Sequence, residues 1–241
     1  MKIDAENCVG CETCLDYCNV GAISIDDEVA SIDQDICVEC WICYRNQVCP
    51  NDCFEPTPLE GYGDVFKHVL SDPTETSKGT GIPGRGTEES KTNDVTGRFS
   101  KDVYGICIDM GRPGVGAYMR DVEKVAMALA AAGVRFATPK ETPLSAVMSN
   151  IRSGKISDDL LDVHVLSVII EGTCKRENLG PVLTAVLKVE KEIDTVFSLG
   201  IVSMLDEDGD EPLMKTLEQC GINRPTRGKV NVGLGQPLYA G

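Results

Sequence analysis

The chain has 241 residues, enough for one large domain or two smaller ones. Its formal charge of −15 comes without clustered Lys or Arg, which excludes nucleic acid as a partner and suits one with a basic docking face. No run of eighteen apolar residues can span a membrane and "MKIDAENC" lacks an apolar signal segment, so a cytoplasmic protein with reduced thiols is expected.

Nine of the twelve cysteines fall within the first 53 residues. In a reducing compartment, cysteine at that density points to metal rather than disulfides. Cys8, Cys11, Cys14 and Cys18 are spaced C-x2-C-x2-C-x3-C, and Cys37, Cys40, Cys43 and Cys49 are spaced C-x2-C-x2-C-x5-C-P. Three thiolates at two-residue gaps wrap one corner of a cubane iron–sulfur cluster, while the fourth points away. Zinc ribbons also use Cys-x2-Cys pairs, but they do not need a third cysteine at the same interval in both repeats.

Over residues 1–57 this frame resembles the bacterial two-cluster ferredoxin family. The resemblance implies that the fourth cysteine of each repeat ligates the other repeat's cluster. Cys8, Cys11, Cys14 and Cys49 would then hold one [4Fe–4S] cluster, and Cys37, Cys40, Cys43 and Cys18 the second. Two departures stand out: Asn19 replaces the usual Pro, and two extra residues precede Cys49, so that "YRNQV" must bulge near a cluster. Aligning the repeats sets Cys53 opposite Ala22. Cys53 therefore reads as a buried structural thiol, with replacement of Cys49 as a ligand the alternative. Val9, Val38, Trp41, Ile42, Ile23 and Ile25 would shield the sulfurs. Trp41 is expected to pack over a cluster, with partner docking the alternative.

Residues 58–100 form a Gly-, Thr- and charge-rich linker or docking arm. Within it "YGDVFKHVL" (62–70) docks on something, and His68 reads as a solvated or packing residue. Arg85 and Arg98 sit among glycines and acidic neighbours. The stretch "GRGTEESKTNDVTGRF" is similar to a segment of ferredoxin-domain reductases such as 6-hydroxynicotinate reductase. That similarity implies reduction of an N-heteroaromatic or similar ring acid in an anaerobe, with a flavin or anionic-substrate site in the second domain.

From residue 101 the periodicity becomes regular. Strands are predicted over 103–110, 134–138, 161–173 and 195–205. Helices are predicted over 117–133, over 142–154 with a Thr142 cap and Pro143 in its first turn, and over 178–193 with an Asn178 cap. The fold class is α+β: a two-cluster ferredoxin domain, then an α/β-plait domain of βαββαβ order (101–206) with an inserted helix. A parallel sheet with a true crossover is left open. The turn "MGRPGVGAYMR" (110–120) lies between a strand and a helix start. Gly111, Arg112, Gly114 and Gly116, with charge from Arg120, form a candidate anion site, against the plain reading of a tight turn. Cys107 reads as core. Lys175 and Arg176 would lower the thiol pKa of Cys174, and Cys220 belongs to no motif. His164 is expected to face away from its neighbours Val163 and Val165. Residues 207–241 form an extended arm carrying Arg224, Arg227 and Lys229 that packs on another subunit, so an oligomer is compatible.

The expected function is electron delivery within a cytoplasmic, anaerobic oxidoreductase complex. Two [4Fe–4S] clusters would pass low-potential electrons to a catalytic subunit or another redox protein. The reductase reading is the alternative, although no flavin motif is present. A cluster-based regulator is disfavoured, because no DNA-binding pattern is present.

Overall fold

The computed structural model describes residues 1–76, 78, 81, 98–112, 114–205, 207–208 and 213–223. The reductase-like stretch at 84–97, Arg85 within it, and Arg224, Arg227 and Lys229 lie outside the described residues.

The cysteine-rich unit begins with β1 (Lys2–Ile3). A hairpin follows, β2 (Ile23–Asp26) and β3 (Val29–Ile32). Its two-residue turn, Asp27 and Glu28, takes φ of 46° and 65°, the left-handed geometry that matches strand twist. α1 (Ile42–Arg45) carries Cys43 and opens the longer second loop as one helical turn. β4 (Phe54–Glu55) returns to pair antiparallel with β1. The two repeats share a backbone path. Gly10 and Glu39, Glu12 and Trp41, and Gly21 and Asp52 are equivalent by alignment, and all six have positive φ. At Gly10 a Cβ would come within 2.4 Å of the Glu28 carbonyl oxygen, so only glycine fits. Glu39 bears the left-handed conformation with a side chain, a cost of roughly 1–2 kcal/mol that its own contacts must offset.

α2 (Gly61–Ser71) corrects the linker reading of 58–100. Phe66 and Leu70, one turn apart, are buried in the same apolar cluster as the second unit's sheet, so this part of the segment is folded body. The second unit comprises β5 (Val103–Met110), β6 (Ala117–Tyr118), α3 (Met119–Ala131), β7 (Arg135–Phe136), α4 (Pro143–Ala146), β8 (Met148–Asn150), β9 (Lys155–Ile156), β10 (His164–Val165), β11 (Val168–Lys175), α5 (Leu179–Val189), β12 (Phe197–Val202) and α6 (Met214–Gln219). Its main sheet has the order β12-β5-β11-β7, and every neighbouring pair is antiparallel. A parallel sheet is therefore not what forms. Tyr104, Ile106, Ile108 and Met110 alternate along β5 onto one face. There they join Val122, Val125 and Leu129 of α3, and Val182, Leu183 and Val186 of α5, in one core. Cys107, Asp109, Ile169 and Glu171, on the alternate positions, are buried as well.

Several expected boundaries move. The helix expected over 142–154 stops after one turn, although its cap is as read: the Thr142 side chain accepts from the Ser145 N–H. Asn150 then accepts from the N–H groups of Arg152 and Ser153, an Asx turn that competes with the helix. The chain folds back as the β8–β9 hairpin. The strand expected over 161–173 divides into β10 and β11, and β10 pairs with β6 instead of joining the main sheet. Asn178 sits at the N-cap of α5 without a side-chain cap bond. The arm expected from 207 contains α6, which buries Leu217. Among the described residues, no helix is long and apolar enough to cross a membrane.

If α2 belongs to this core, Phe66→Ala should cost about 3 kcal/mol. Hydrogen exchange of the α2 amides would then quicken about a hundredfold, whereas Tyr62→Ala, at an exposed position, should leave them nearly unchanged.

Candidate metal centres

The chain reversals of the two repeats gather the cysteines into two groups. Cys8, Cys11 and Cys14 of the first repeat line an open-mouthed cavity of about 350 Å³ together with Cys49 of the second. Cys37, Cys40 and Cys43 line another of about 430 Å³ together with Cys18 of the first. Backbone N–H groups point at two of the sulfurs: Ala30 donates to Cys8 Sγ at 3.3 Å, and Ala22 donates to Cys18 Sγ at 3.1 Å. Among the described residues, no three Cys, His, Asp or Glu side chains converge as one bound ion would require; the thiols ring cavities instead. Cys53 is buried and lines the first cavity beside Cys49, and burial pushes its thiol up.

The two groups differ electrostatically. Hydrogen bonds from Thr13 hold the exposed Cys11 thiol below its ordinary value, while burial pushes Cys14 up. In the second group, burial raises Cys40 and pushes Cys37 and Cys43 up to about 11 and about 12. Thiols of this kind keep their protons at neutral pH until a cationic centre displaces them.

The loop of the second group is held from outside. Its backbone makes few regular hydrogen bonds, so its carbonyls need other donors. Lys67 Nζ donates to Gln34 O at 3.3 Å, and the Tyr118 hydroxyl to Asp35 O at 3.3 Å. His164 Nδ1 lies 2.7 Å from Ile36 O, and His68 Nδ1 lies 2.7 Å from Glu39 O. A carbonyl can only accept, so Nδ1 carries the hydrogen in both rings. Arg45 donates to Cys40 O at 2.9 Å and pairs with the buried Asp72 at the end of α2. The imidazole of His68 lies 4.3 Å from the Trp41 ring, and that of His164 stacks on Tyr118 at 4.4 Å. Burial holds His164 below the usual histidine value. The Glu39 carboxylate accepts from the N-terminal ammonium at 2.7 Å and from Trp41 Nε1 at 2.9 Å. Burial would raise its pKa, but these donors outweigh burial and hold it below the usual carboxylate value. Sequence reasoning missed both histidines as contacts of this loop. They lie 29 and 128 positions from their partners, and no spacing signals them.

The candidate anion turn is bonded largely within itself and to its neighbours. The N–H groups of Gly114, Val115 and Gly116 all donate to Gly111 O at 3.1 Å. Those of Met119 and Arg120, at the start of α3, donate to Val163 O and Leu161 O. Arg112 pairs with Asp109 at 3.1 Å, and Arg120 pairs with Asp162 at 2.7 Å. Most backbone donors of the turn are thus taken, while Arg112 Nε is buried without a hydrogen-bond partner among the described residues. The glycines serve close packing. A Cβ on Gly116 (φ 76°) would fall 2.3 Å from His164 Nε2, and one on Gly114 would meet Asn19, next to Cys18, at 3.5 Å. The turn is a joint between the two units. Cys174 also corrects its expectation: it lies in the core, and burial pushes its thiol up to about 11 rather than down. Cys107 is buried in β5, and Cys220 is half-buried after α6.

Segments about as long as the cysteine-rich unit are similar to curated proteins. Ferredoxin Fdx2 of Sorangium cellulosum is 39% identical over 57 residues, which is 22% of this chain and 56% of that protein. An uncharacterized ferredoxin-like protein of Haemophilus influenzae is 41% identical over 56 residues, 21% of this chain and 65% of that protein. Ferredoxin-2 of Chlorobaculum tepidum is 40% identical over 53 residues, 20% of this chain and 84% of that protein. The chain thus spans less than two thirds of the first two relatives and most of the third. No protein-family model matches the chain, and no solved structure matches it significantly.

Gly116→Ala is expected to lower the thermal midpoint well below that of Gly21→Ala. Both substitutions strain a left-handed residue by roughly 1–2 kcal/mol, but a Cβ at position 21 meets nothing within 4 Å, whereas one at position 116 collides with His164.

Proposed function

The chain belongs to the ferredoxin family through its cysteine-rich segment, and from that premise we propose that it is an iron–sulfur electron-transfer protein with two [4Fe–4S] clusters. The observation that carries this reading is the composition of the two cavities: each brings three cysteines of one repeat together with the fourth of the other. Cys8, Cys11, Cys14 and Cys49 would hold the first cluster, and Cys37, Cys40, Cys43 and Cys18 the second. The donor set fits, since four thiols ring the second cavity and the same four-cysteine frame, with Cys53 as a fifth thiol, rings the first, rather than converging on one ion. When bound, each cluster supplies a one-electron couple.

The chain's own residues divide the work. Val9 is 64% exposed and Cys11 is exposed, so the first centre lies close to solvent and within short reach of a docked protein. Glu6, Glu12, Asp26, Asp27, Glu28 and Asp52 are exposed in the same unit, and Lys2 is its only basic residue before Arg45. This acidic surface steers a partner with a basic face, either a redox protein or a catalytic oxidoreductase subunit. Val38 and Trp41 exclude water from the second centre. The antiparallel order β12-β5-β11-β7, with α3 and α5 on one face, supports reading the second unit as an α/β plait carrying an insertion between β7 and β11. Free cysteine at this density supports a reducing, cytoplasmic compartment. The reductase reading depends chiefly on a stretch outside the described residues, and electron delivery is the better-supported function.

Anaerobically purified chain is expected to be brown and to carry about eight iron atoms, four per cluster. Colourless, zinc-loaded protein would refute the proposal. Cys18→Ala should abolish the spectroscopic signal of the second-motif cluster and spare that of the first. The opposite loss would show that the fourth ligands do not cross.

A further inference from the structure

The chain has two histidines. Both lie outside the cysteine-rich unit, at position 68 in α2 and position 164 in β10, and both bond carbonyls of the loop that carries Cys37 and Cys40. We propose that His68 and His164 are positioning residues through which the rest of the chain makes the second cysteine site easier to reduce than it would otherwise be. The inference rests on the reading of Cys37, Cys40, Cys43 and Cys18 as a [4Fe–4S] site.

The argument begins with burial. His68 and His164 are 4% and 6% exposed, so each N–H···O bond forms largely away from water and keeps its strength. Neither ring lines the second cavity. Each ring N–H therefore presents its positive end to the loop from outside the cavity and draws electron density from the carbonyl it meets, while the Cys37 N–H of the Ile36 peptide is itself taken by Asp33 O at 2.9 Å. The carbonyls concerned belong to Ile36 and Glu39, the residues directly before Cys37 and Cys40. Arg45 acts in the same sense on Cys40 O. Reduction adds negative charge to a site that four thiolates already make anionic, so dipoles arranged this way favour the reduced state. The first loop has a single and more exposed counterpart, at Asn7, directly before Cys8. Among the described residues, the side-chain donor to its carbonyls is Asn51, which reaches Asn7 O at 2.9 Å. The two sites share a backbone path but differ in what surrounds it.

The test is a redox titration of the complete, anaerobically purified chain followed by electron paramagnetic resonance. Cys11→Ser and Cys40→Ser assign the two couples to their sites. His68→Phe and His164→Phe keep a flat ring against Trp41 and Tyr118 but remove the donor; His68→Gln and His164→Gln retain an N–H. Each Phe variant should make reduction of the second couple less favourable by up to about tenfold, or 59 mV for a one-electron couple. The first couple should stay where it is, and the Gln variants should lie nearer the native chain. Loss of the second cluster alone in the Phe variants, with native potentials in the Gln variants and no shift of the second couple in any variant, would show a purely structural role and overturn the inference. Equal shifts in both couples, a shift in the first alone, or no shift would overturn it. A native chain without two reducible clusters would instead remove the underlying [4Fe–4S] reading and this inference with it.

Discussion

A loop with a cysteine at every third residue forms little regular helix or strand here beyond the single turn of α1, and most of its backbone must be satisfied by something else. This constraint organises the molecule. In the first loop, the short 3-10 turn at Leu15–Tyr17 and neighbouring turns take up part of the need. In the second, the carbonyls of residues 34, 35, 36, 39 and 40 are met by Lys67, Tyr118, His164, His68 and Arg45. Four of these five donors come from α2 or from the second unit. The larger unit is thus coupled to the smaller through the cysteine-bearing loop itself.

The path of the chain beyond the main sheet follows from that coupling. β11 could have continued toward Leu161 as one long apolar strand. Instead the chain breaks at Leu166 and Ser167, where Leu166 N–H donates to Ser71 Oγ at 2.9 Å. β10 then pairs with β6 on the side that faces the cysteine-rich unit. This turn of direction brings His164 onto Tyr118 and within reach of Ile36. The glycines at 111 and 116 make the neighbouring joint thin enough for a fully seated imidazole.

Much of this was legible in the sequence where the signal was local. The cysteine intervals announced two groups and the resemblance to two-cluster ferredoxins implied the crossing of their fourth members; each cavity is lined by three cysteines of one repeat and the fourth of the other, with Cys53 beside them in the first. β5 formed over the predicted residues, and α3 kept its buried stripe while yielding residues 117–118 to a strand pair. The cap at Thr142 was also readable, but the length of its helix was not, because Asn150 offers the backbone a competing turn. α2 was hidden by Gly61, Gly63 and a thin apolar stripe, and tertiary burial of Phe66 and Leu70 overrides that weak propensity. For Cys174, nearby basic residues in the sequence proved a poor guide, since desolvation decides its thiol. The histidine contacts are non-local, and nothing within a few residues of either ring could have revealed them.

Trp41 is the only tryptophan in the chain. It lines the second cavity, packs on His68 and donates to Glu39. All indole fluorescence of this protein therefore originates beside the second cysteine-lined cavity. Ultraviolet excitation at wavelengths that spare the tyrosines would report on that cavity, and on any cluster that assembles in it, in real time without iron analysis or a label.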